Sequence, residues 1–270
     1  MKSLEIKEII SNVSIKYHQY LQPNNIVVFN NIQSTNSYLL ESARTENNKI
    51  IFCLAEQQTA GRGRRDHIWV SPAGNIYLSI LWSFNCDINQ LSGLSIAIGV
   101  AVASALATYG INDIHLKWPN DILCQGRKLG GILIETIPQF NHTSVVIGLG
   151  INIDISEHQN QFDAIDIISI NQKTPNRNLL IGLLINSILD AIFLFQSKKL
   201  IPFIQKWNIK DYSYNKSVNI ISKQKTISGI NRGINQQGNL LLEVPLEDGS
   251  NKLHTIVSGE VSLRIRTTND

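Results

Sequence analysis

The strongest concentration of positive charge in the chain is the segment AGRGRR at residues 60–65, in which glycines separate the arginines. Residues two apart in an extended loop face the same side, so Arg62 and Arg64 are expected to point together. Gly61 and Gly63 would let the backbone approach a ligand closely, and guanidinium groups match phosphate and carboxylate geometrically. No Gly-Lys-Ser/Thr follows, so this is not a Walker loop. The segment indicates an anion-binding loop, with a solvated basic turn as the alternative.

Four other short segments place polar or charged side chains beside a predicted strand end, a turn or a glycine. They are STN at 34–36, LKWPNDIL at 116–123, RKLGGILIE at 127–135 and IGLGINI at 147–153. The first can cap a helix with its hydroxyl and amide groups. In the second, Pro119 disfavours helix at Trp118 and the Asn-Asp pair favours a turn. A lysine and a carboxylate therefore lie together at the end of a strand, where they can handle phosphates, a metal ion or an amine.

Composition excludes several classes of protein. A hydrophobic content of 43% and a charged content of 17% predict a globular protein with a sizeable core. The net charge of +3 is too small to indicate nucleic-acid binding by itself, and only Trp69 offers a stacking ring close to the arginines. Cys53, Cys86 and Cys124 are widely spaced beside apolar runs, which predicts buried, reduced thiols and neither a disulfide framework nor a metal site.

The pattern of elements predicts two domains. Strands and helices mixed without strict alternation extend to about residue 211, and short apolar runs separated by glycines follow. This predicts an α+β domain and then a small β-barrel or sandwich. The expected divisions are a lead-in at 1–25, a main domain at 26–213 and a C-terminal domain at 214–270.

No segment is expected to enter a membrane. The two most apolar stretches, 91–107 and 179–195, are interrupted by polar residues and are predicted to be buried helices. The N-terminus lacks the unbroken apolar core of a signal peptide. A cytoplasmic location is the expectation.

The four segments and AEQQTAGRGRRDHIW at 55–69, taken in order, resemble the bacterial biotin protein ligase family. The likeness runs from about residue 26 to 266. It implies an α+β catalytic domain with a mixed sheet, related to class II synthetases, followed by an SH3-like barrel. It also implies that biotin and ATP, with Mg²⁺, form biotinyl-5′-AMP. Biotin then passes to a lysine of the biotin carboxyl carrier protein of acetyl-CoA carboxylase, without a covalent enzyme intermediate.

The resemblance also implies roles for individual residues. The catalytic group comprises Arg64, Lys117, Asp121 and Lys128. The biotin-binding group comprises Ser34, Thr35, Asn36, Gln58, Gly61, Arg62, Gly63, Arg64, Lys128 and Gly131. The adenylate- and ATP-binding group comprises Arg64, Arg65, Trp69, Asn120, Gly150, Asn152, Glu260 and Arg264. No residue is assigned as a metal ligand.

The chain departs from the family pattern at Asp66, where glycine is usual. An aspartate here is expected to pair with Arg65 or His67 and to stiffen the loop. No basic helix-turn-helix pattern precedes Ser34, so a ligase without operator binding is expected, and a homodimer is left open. The alternatives are a lipoate ligase on the same scaffold and a non-enzymatic nucleotide- or RNA-binding module.

Overall fold

The computed structural model describes residues 2–45, 49–156, 163–222, 225–259 and 261–265. A seven-stranded sheet forms the main domain, with the strand order β1-β2-β3-β7-β6-β5-β4. β1 and β2 are parallel, and the other neighbouring strands are antiparallel. The strands are β1 (Ile26–Ile32), β2 (Ile51–Gln58), β3 (Ile76–Phe84), β4 (Ile114–Lys117), β5 (Asp121–Cys124), β6 (Arg127–Pro138) and β7 (Thr143–Ile151).

Helices cover both faces of this sheet. They are α1 (Ile6–Ser11), α2 (Thr35–Thr45), α3 (Leu94–Thr108), α4 (Ile167–Asn171), α5 (Arg177–Lys198) and α6 (Ile201–Lys210). α2 packs Leu39 and Ala43 on one face, whereas α3 and α5 belong to the larger core on the other. The central strands are apolar on both sides because both of their faces are covered.

The two long apolar helices lie mostly inside the fold. By length and composition, the segments Ile88–Thr108 and Arg177–Lys198 would suffice to cross a membrane, yet 67% and 61% of their most apolar windows are buried. α5 begins after Asn176, whose side-chain oxygen accepts a hydrogen bond from the amide of Leu179 at 3.1 Å. Both helices are core helices of the main domain, as the sequence predicted.

The C-terminal part is an antiparallel five-stranded sheet with the order β11-β10-β9-β8-β12. Its strands are β8 (Ser217–Ile221), β9 (Thr226–Ile234), β10 (Leu240–Pro245), β11 (Asn251–Ile256) and β12 (Ser262–Ile265). The amide of Tyr212 donates to the carbonyl of Leu116 in β4 at 2.8 Å, which fastens the connection to the main domain. The predicted α+β fold followed by a small β domain is confirmed.

The predicted lead-in was incomplete, and two short elements were not predicted. The expected lead-in contains α1 and a 3-10 turn over Ile15–Tyr20, because Ile9, Val13 and Tyr17 recur every four residues and are buried. The polar region at 154–177 contains α4. β5 is only four residues long, too short to give a clear period of its own.

Candidate active site

A cleft of about 530 Å³ opens on the α2 face of the main sheet. Its floor is made by glycines of the central strands: Gly131 on β6 pairs with Gly150 on β7, and Gly148 pairs with Ser79 on β3. Glycine leaves the space above a strand empty, so a ligand can approach the backbone here. The arginine loop (residues 60–69) and β12 form the walls.

Most of the residues that the sequence singled out line this cleft. They are Ser34, Thr35, Asn36, Gln58, Arg62, Gly63, Arg64, Arg65, Trp69, Lys117, Asn120, Asp121, Lys128, Gly131, Gly150 and Arg264. Gly61 lies buried beneath the loop, where a Cβ atom would collide with the carbonyl of Trp69 and the hydroxyl of Ser71. Glu260 lies outside the residues that the structure describes.

One end of the cleft is a neutral polar cluster built where α2 begins. The Ser79 hydroxyl is 2.7 Å from Thr35 Oγ1 and 2.6 Å from Asn36 Oδ1, and all three side chains are buried. Gln58, at the end of β2, accepts from the Thr35 amide at 2.9 Å. A Cβ at Gly148 would overlap the Asn36 amide, so glycine is what allows Asn36 to lie over the sheet. The cluster can bind a neutral polar ring through both donors and acceptors.

The arginine loop is a short folded unit. The Trp69 amide donates to the Gly61 carbonyl at 2.9 Å, and the Gly63 amide donates to the His67 carbonyl at 2.7 Å. A 3-10 turn follows over Arg64–Asp66, in which Arg65 adopts a left-handed backbone with φ of 55°. The predicted pairing of Asp66 concerns a side chain outside the described ones.

Arg62 and Arg64 both line the cleft, but they contact different partners and do not form a pair. Arg62 forms a salt bridge with Glu135 of β6, at 2.9 Å between Nη2 and Oε1. Arg64 instead donates to Asn120 Oδ1 at 3.4 Å and to the backbone carbonyls of Ser258 and Gly259 in the C-terminal domain. The two-residue alternation of an extended chain ends at Gly63 because the 3-10 turn begins at Arg64.

Arg64 lies in an environment that favours an added anion. Burial, and next the charge of Arg65, lower the pKa of the Arg64 guanidinium below its usual value, while Asp121 acts in the opposite direction. The partners that Arg64 contacts directly are neutral amide and carbonyl oxygens. A phosphate or carboxylate placed here would offset the cost of holding this charge away from water.

A lysine, a carboxylate and an aromatic ring form the other side of the cleft. Lys128 Nζ lies 2.6 Å from Asp121 Oδ1 and 5.2 Å from the centre of the Trp69 ring. Trp69 lies over Gly150, where a Cβ would come within 2.7 Å of its indole nitrogen. A flat ring system can stack beside a charged group in such a place.

One predicted assignment is corrected by the geometry, and two residues of the site were not predicted. Asn152 was expected to contact the nucleotide, but its amide donates to the carbonyls of Lys128 at 3.3 Å and Ile165 at 3.2 Å. It is 7% exposed and supports the backbone behind Lys128, because its own backbone has turned away at the end of β7. The sequence pattern missed Ser79, which has apolar neighbours on both sides in β3, and Glu135, which follows the apolar run Ile132–Ile134 in β6. A polar residue next to an apolar run is the signal that would have identified them.

The described residues contain neither an exposed, activated cysteine nor a metal site made of protein side chains alone. Cys53 and Cys124 are buried and Cys86 is half-buried, and burial raises the pKa of the Cys53 thiol to about 12. No group of three or more His, Cys, Asp or Glu side chains within the described ranges has the arrangement of a metal site. Asp121 lies beside Lys128, and Asn120 accepts from Arg64. These two residues could supply oxygen ligands to a Mg²⁺ ion that takes its other ligands from a phosphate and water.

Two family models match the chain. The biotin/lipoate A/B protein ligase family matches residues 28–152, and the biotin protein ligase C-terminal domain matches residues 214–264. The first match contains the polar cluster, the arginine loop and the Asp121–Lys128 pair. The second contains β8 to β12.

Relatives with these domains extend over most of the chain. The bifunctional ligase/repressor BirA of Escherichia coli K12 is 38% identical over 90% of this chain and 75% of its own length. The biotin–[acetyl-CoA-carboxylase] ligase of Mycobacterium tuberculosis is 29% identical over 72% and 73%. The solved structure of the biotin protein ligase from Aquifex aeolicus in complex with biotin and ATP has a TM-score of 0.75 at 26% identity, covering 90% of this chain and 99% of that one. The chain belongs to the biotin protein ligase family.

Proposed function

We propose that this chain is an ATP-dependent biotin protein ligase. The carrying observation is that one cleft brings together a neutral polar cluster at Asn36, cationic side chains at Arg64 and Lys128, and the indole of Trp69. Biotin and adenylate, joined through a carboxyl–phosphate link, present a urea ring, an anionic centre and a purine, which are groups that these three kinds of side chain can bind. A solved relative is described as a complex with biotin and ATP.

In the first step a biotin carboxylate oxygen attacks the α-phosphorus of ATP. The bond to the leaving pyrophosphate breaks, and the product is the mixed anhydride biotinyl-5′-AMP. Lys128 binds the carboxylate and the α-phosphate, and Arg64 stabilises charge on the phosphate. Preorganised donors aimed at developing charge are worth about 3 kcal/mol each in such sites. Lys117 lines the same wall of the cleft and adds positive charge for the phosphates.

In the second step the ε-amine of a carrier-protein lysine attacks the carbonyl carbon of the anhydride, and AMP leaves. The amine must lose a proton as the amide forms. Asp121 is the one carboxylate among the described residues that line the cleft, and we assign it to accept this proton. The acceptor is the biotin carboxyl carrier protein of acetyl-CoA carboxylase, since a relative is named for that substrate.

Mg²⁺ would neutralise phosphate charge and orient pyrophosphate as it leaves, with Asp121 and Asn120 as its nearest oxygen donors from the protein. A cytoplasmic location is part of this proposal; the need for ATP and a carrier protein supports it, as do unpaired thiols such as Cys53, which persist in a reducing compartment. Operator binding gains no support from α1, which carries one lysine and one glutamate and buries Ile9 in the core.

The test is to incubate the protein with biotin, ATP, Mg²⁺ and an apo carrier domain, and to measure pyrophosphate release and the carrier's mass. A mass gain of one biotinyl group on a single lysine is expected. Reactions with lipoate in place of biotin, and with a carrier whose acceptor lysine is replaced by arginine, are the controls. No biotinyl carrier with folded protein, or equal transfer of lipoate, would contradict the proposal.

A further inference from the structure

Glu135 occupies a position between the ligand cluster and the arginine loop. Its carboxylate forms a two-point contact with Arg62, at 2.9 Å and 3.1 Å, and accepts from Asn36 Nδ2 at 3.0 Å. The side chain is 21% exposed, so the contacts form partly out of water, where charge-assisted hydrogen bonds are strong. One carboxylate therefore connects the first turn of α2 to the loop.

Two acceptors determine which end of the Asn36 amide faces the cluster: Glu135 at 3.0 Å and, at the longer distance of 3.4 Å, the carbonyl of Leu133. An ionised carboxylate only accepts hydrogen bonds, so Asn36 must turn its NH₂ group toward Glu135. Its oxygen then faces the Ser79 hydroxyl at 2.6 Å and the space above Gly148. With the opposite amide orientation, two oxygens would meet at Glu135. Glu135, with the Leu133 carbonyl as the longer second contact, thereby makes Asn36 an acceptor inside the cleft.

The polar cluster has fewer hydroxyl protons to donate than oxygen atoms that can accept them. Thr35 Oγ1 donates to Gln58 Oε1 at 3.1 Å, and the Ser79 hydroxyl lies within reach of both Thr35 Oγ1 and Asn36 Oδ1. Ser79 has one hydroxyl proton and can serve only one of the two oxygens at a time. An N–H group of a bound ring would satisfy the other, and Asn36 can receive it only with its oxygen inward.

The arginine loop is tied to this cluster at both of its ends. Arg62 reaches it through Glu135. At the far end, Gln58 Nε2 donates to the Ser71 hydroxyl at 3.1 Å, which donates to the Trp69 carbonyl at 2.7 Å. A ligand bound in the polar cluster therefore acts on the same hydrogen bonds that hold the arginine loop.

We propose that Glu135 is a positioning residue for biotin capture, which orients the Asn36 amide toward the urea ring and anchors the arginine loop through Arg62. The inference rests on the proposed ligase function. It assigns to Glu135 no contact with the substrate. Its effect belongs to the capture of biotin and not to the transfer of biotin from the finished adenylate.

The first experiment compares wild type and Glu135→Gln, a change of nearly equal shape. The KM for biotin is expected to rise about ten- to a hundredfold, since an oriented hydrogen bond and a charged contact are weakened together. The rate of transfer from preformed biotinyl-adenylate should stay near the wild-type value. Glu247→Gln removes an exposed charge at the β10–β11 turn and is the matched control. An unchanged biotin KM in Glu135→Gln overturns the proposal.

An exchange of groups separates orientation from general damage. Asn36→Asp alone sets two carboxylates against each other and should raise the biotin KM further. In the double variant Asn36→Asp/Glu135→Gln, the new amide can donate to the new carboxylate, which again presents an acceptor to the cleft. A biotin KM below that of Asn36→Asp alone is expected. Additive losses in the double variant would contradict the assigned amide orientation.

Trypsin cleavage of the ligand-free protein tests the loop contact without any substrate. Cleavage after Arg62, Arg64 or Arg65 should be faster in Glu135→Gln than in wild type or Glu247→Gln. Equal cleavage would show that Glu135 does not hold the loop. If wild type gave no biotinyl carrier, the ligase proposal would fail. The trypsin comparison would still show whether Glu135 anchors the arginine loop.

Discussion

The ammonium of Lys128 lies 2.6 Å from the carboxylate of Asp121 across the β5–β6 hairpin, with 36% and 26% of the two side chains exposed. The pair holds the lysine beside the Trp69 ring before any ligand is present. A substrate anion must compete with Asp121 for this ammonium. With its ammonium partner engaged by that anion, Asp121 would be available for the proton transfer proposed above.

Separate substitutions of this pair should therefore affect separate steps. Lys128→Gln removes a charged hydrogen bond worth about 1.5–3 kcal/mol, so adenylate formation should slow about ten- to a hundredfold. Asp121→Asn removes the assigned proton acceptor and weakens one oxygen donor for Mg²⁺, so it should slow transfer to the carrier more than it slows adenylate formation. Single-turnover pyrophosphate release measures the first step, and carrier labelling from preformed adenylate measures the second. Equal slowing of both steps by both variants would contradict this division.

Gly148 and Gly150 lie on the same face of β7 and should serve different ends of the ligand. Alanine at 148 would displace the Asn36 amide, and alanine at 150 would place a Cβ 2.7 Å from the Trp69 indole. Displacing either group should cost about 1–3 kcal/mol. Gly148→Ala should weaken biotin binding and Gly150→Ala should weaken ATP binding.

Each glycine variant is the control for the other, because both add one methyl to the same strand. Calorimetric titrations with biotin and with ATP provide the measurement. Equal losses for both ligands in both variants would indicate general damage to β7. Retention of both affinities would remove Asn36 and Trp69 from the binding site.

Local sequence patterns predicted much of this site. Contacts between residues far apart in the sequence could not be predicted from such patterns. Ser34 hydrogen-bonds the amide of Ser37 at 3.3 Å as a capping pattern predicts, and the glycines of β7 leave the space that their residue type indicated. The different partners of Arg62 and Arg64 depend on a 3-10 turn with no clear composition signal. The carbonyl of Ser258 lies 194 residues from Arg64, and no spacing rule brings them together.

Asp211 should stabilise the connection between the domains. Its buried carboxylate accepts from Ser213 Oγ and from Asn231 Nδ2, each at 2.8 Å. In Asp211→Asn, the new NH₂ group would face one of these two donors, and neither could accept its hydrogen bond in the present arrangement. The free energy of unfolding should therefore fall by about 1–3 kcal/mol. Urea denaturation measures it, with Asp248→Asn at the exposed β10–β11 turn as the control.

The pH dependence of the same variant has a definite sign. Burial is the main cause that raises the pKa of Asp211 above 3.8. The native state then binds this proton more tightly than the unfolded chain, so the group's contribution to stability falls as pH rises through its folded pKa. The advantage of wild type over Asp211→Asn should grow as pH is lowered from neutral toward 3.8. An advantage that shrinks over this range would show that the carboxylate is stabilised as an anion.

Arg64 should determine how long the adenylate stays bound. A mixed anhydride reacts with any amine, so selectivity for one carrier lysine requires that the adenylate not escape. Arg64→Gly removes a charge-assisted donor worth about 1.5–3 kcal/mol, and adenylate should leave about ten- to a hundredfold faster. Arg64→Lys keeps the charge but loses the fork that reaches both Asn120 and the Ser258 carbonyl, so it should restore only part of the retention.

Arg65→Gly is the matched comparison for Arg64→Gly, because it removes the same charge one residue away. Glycine accepts the left-handed backbone of Arg65, with φ of 55°, and its exposed side chain should contribute less to retention. Adenylate off-rates and the labelling of albumin as a passive acceptor measure the effect. Arg64→Gly should label albumin more than Arg65→Gly or wild type does, while pyrophosphate is still released. Equal off-rates in wild type, Arg64→Gly and Arg65→Gly would show that the arginine loop is only a basic turn. The contacts of Arg64 with the C-terminal domain would then have no influence on how long the adenylate stays bound.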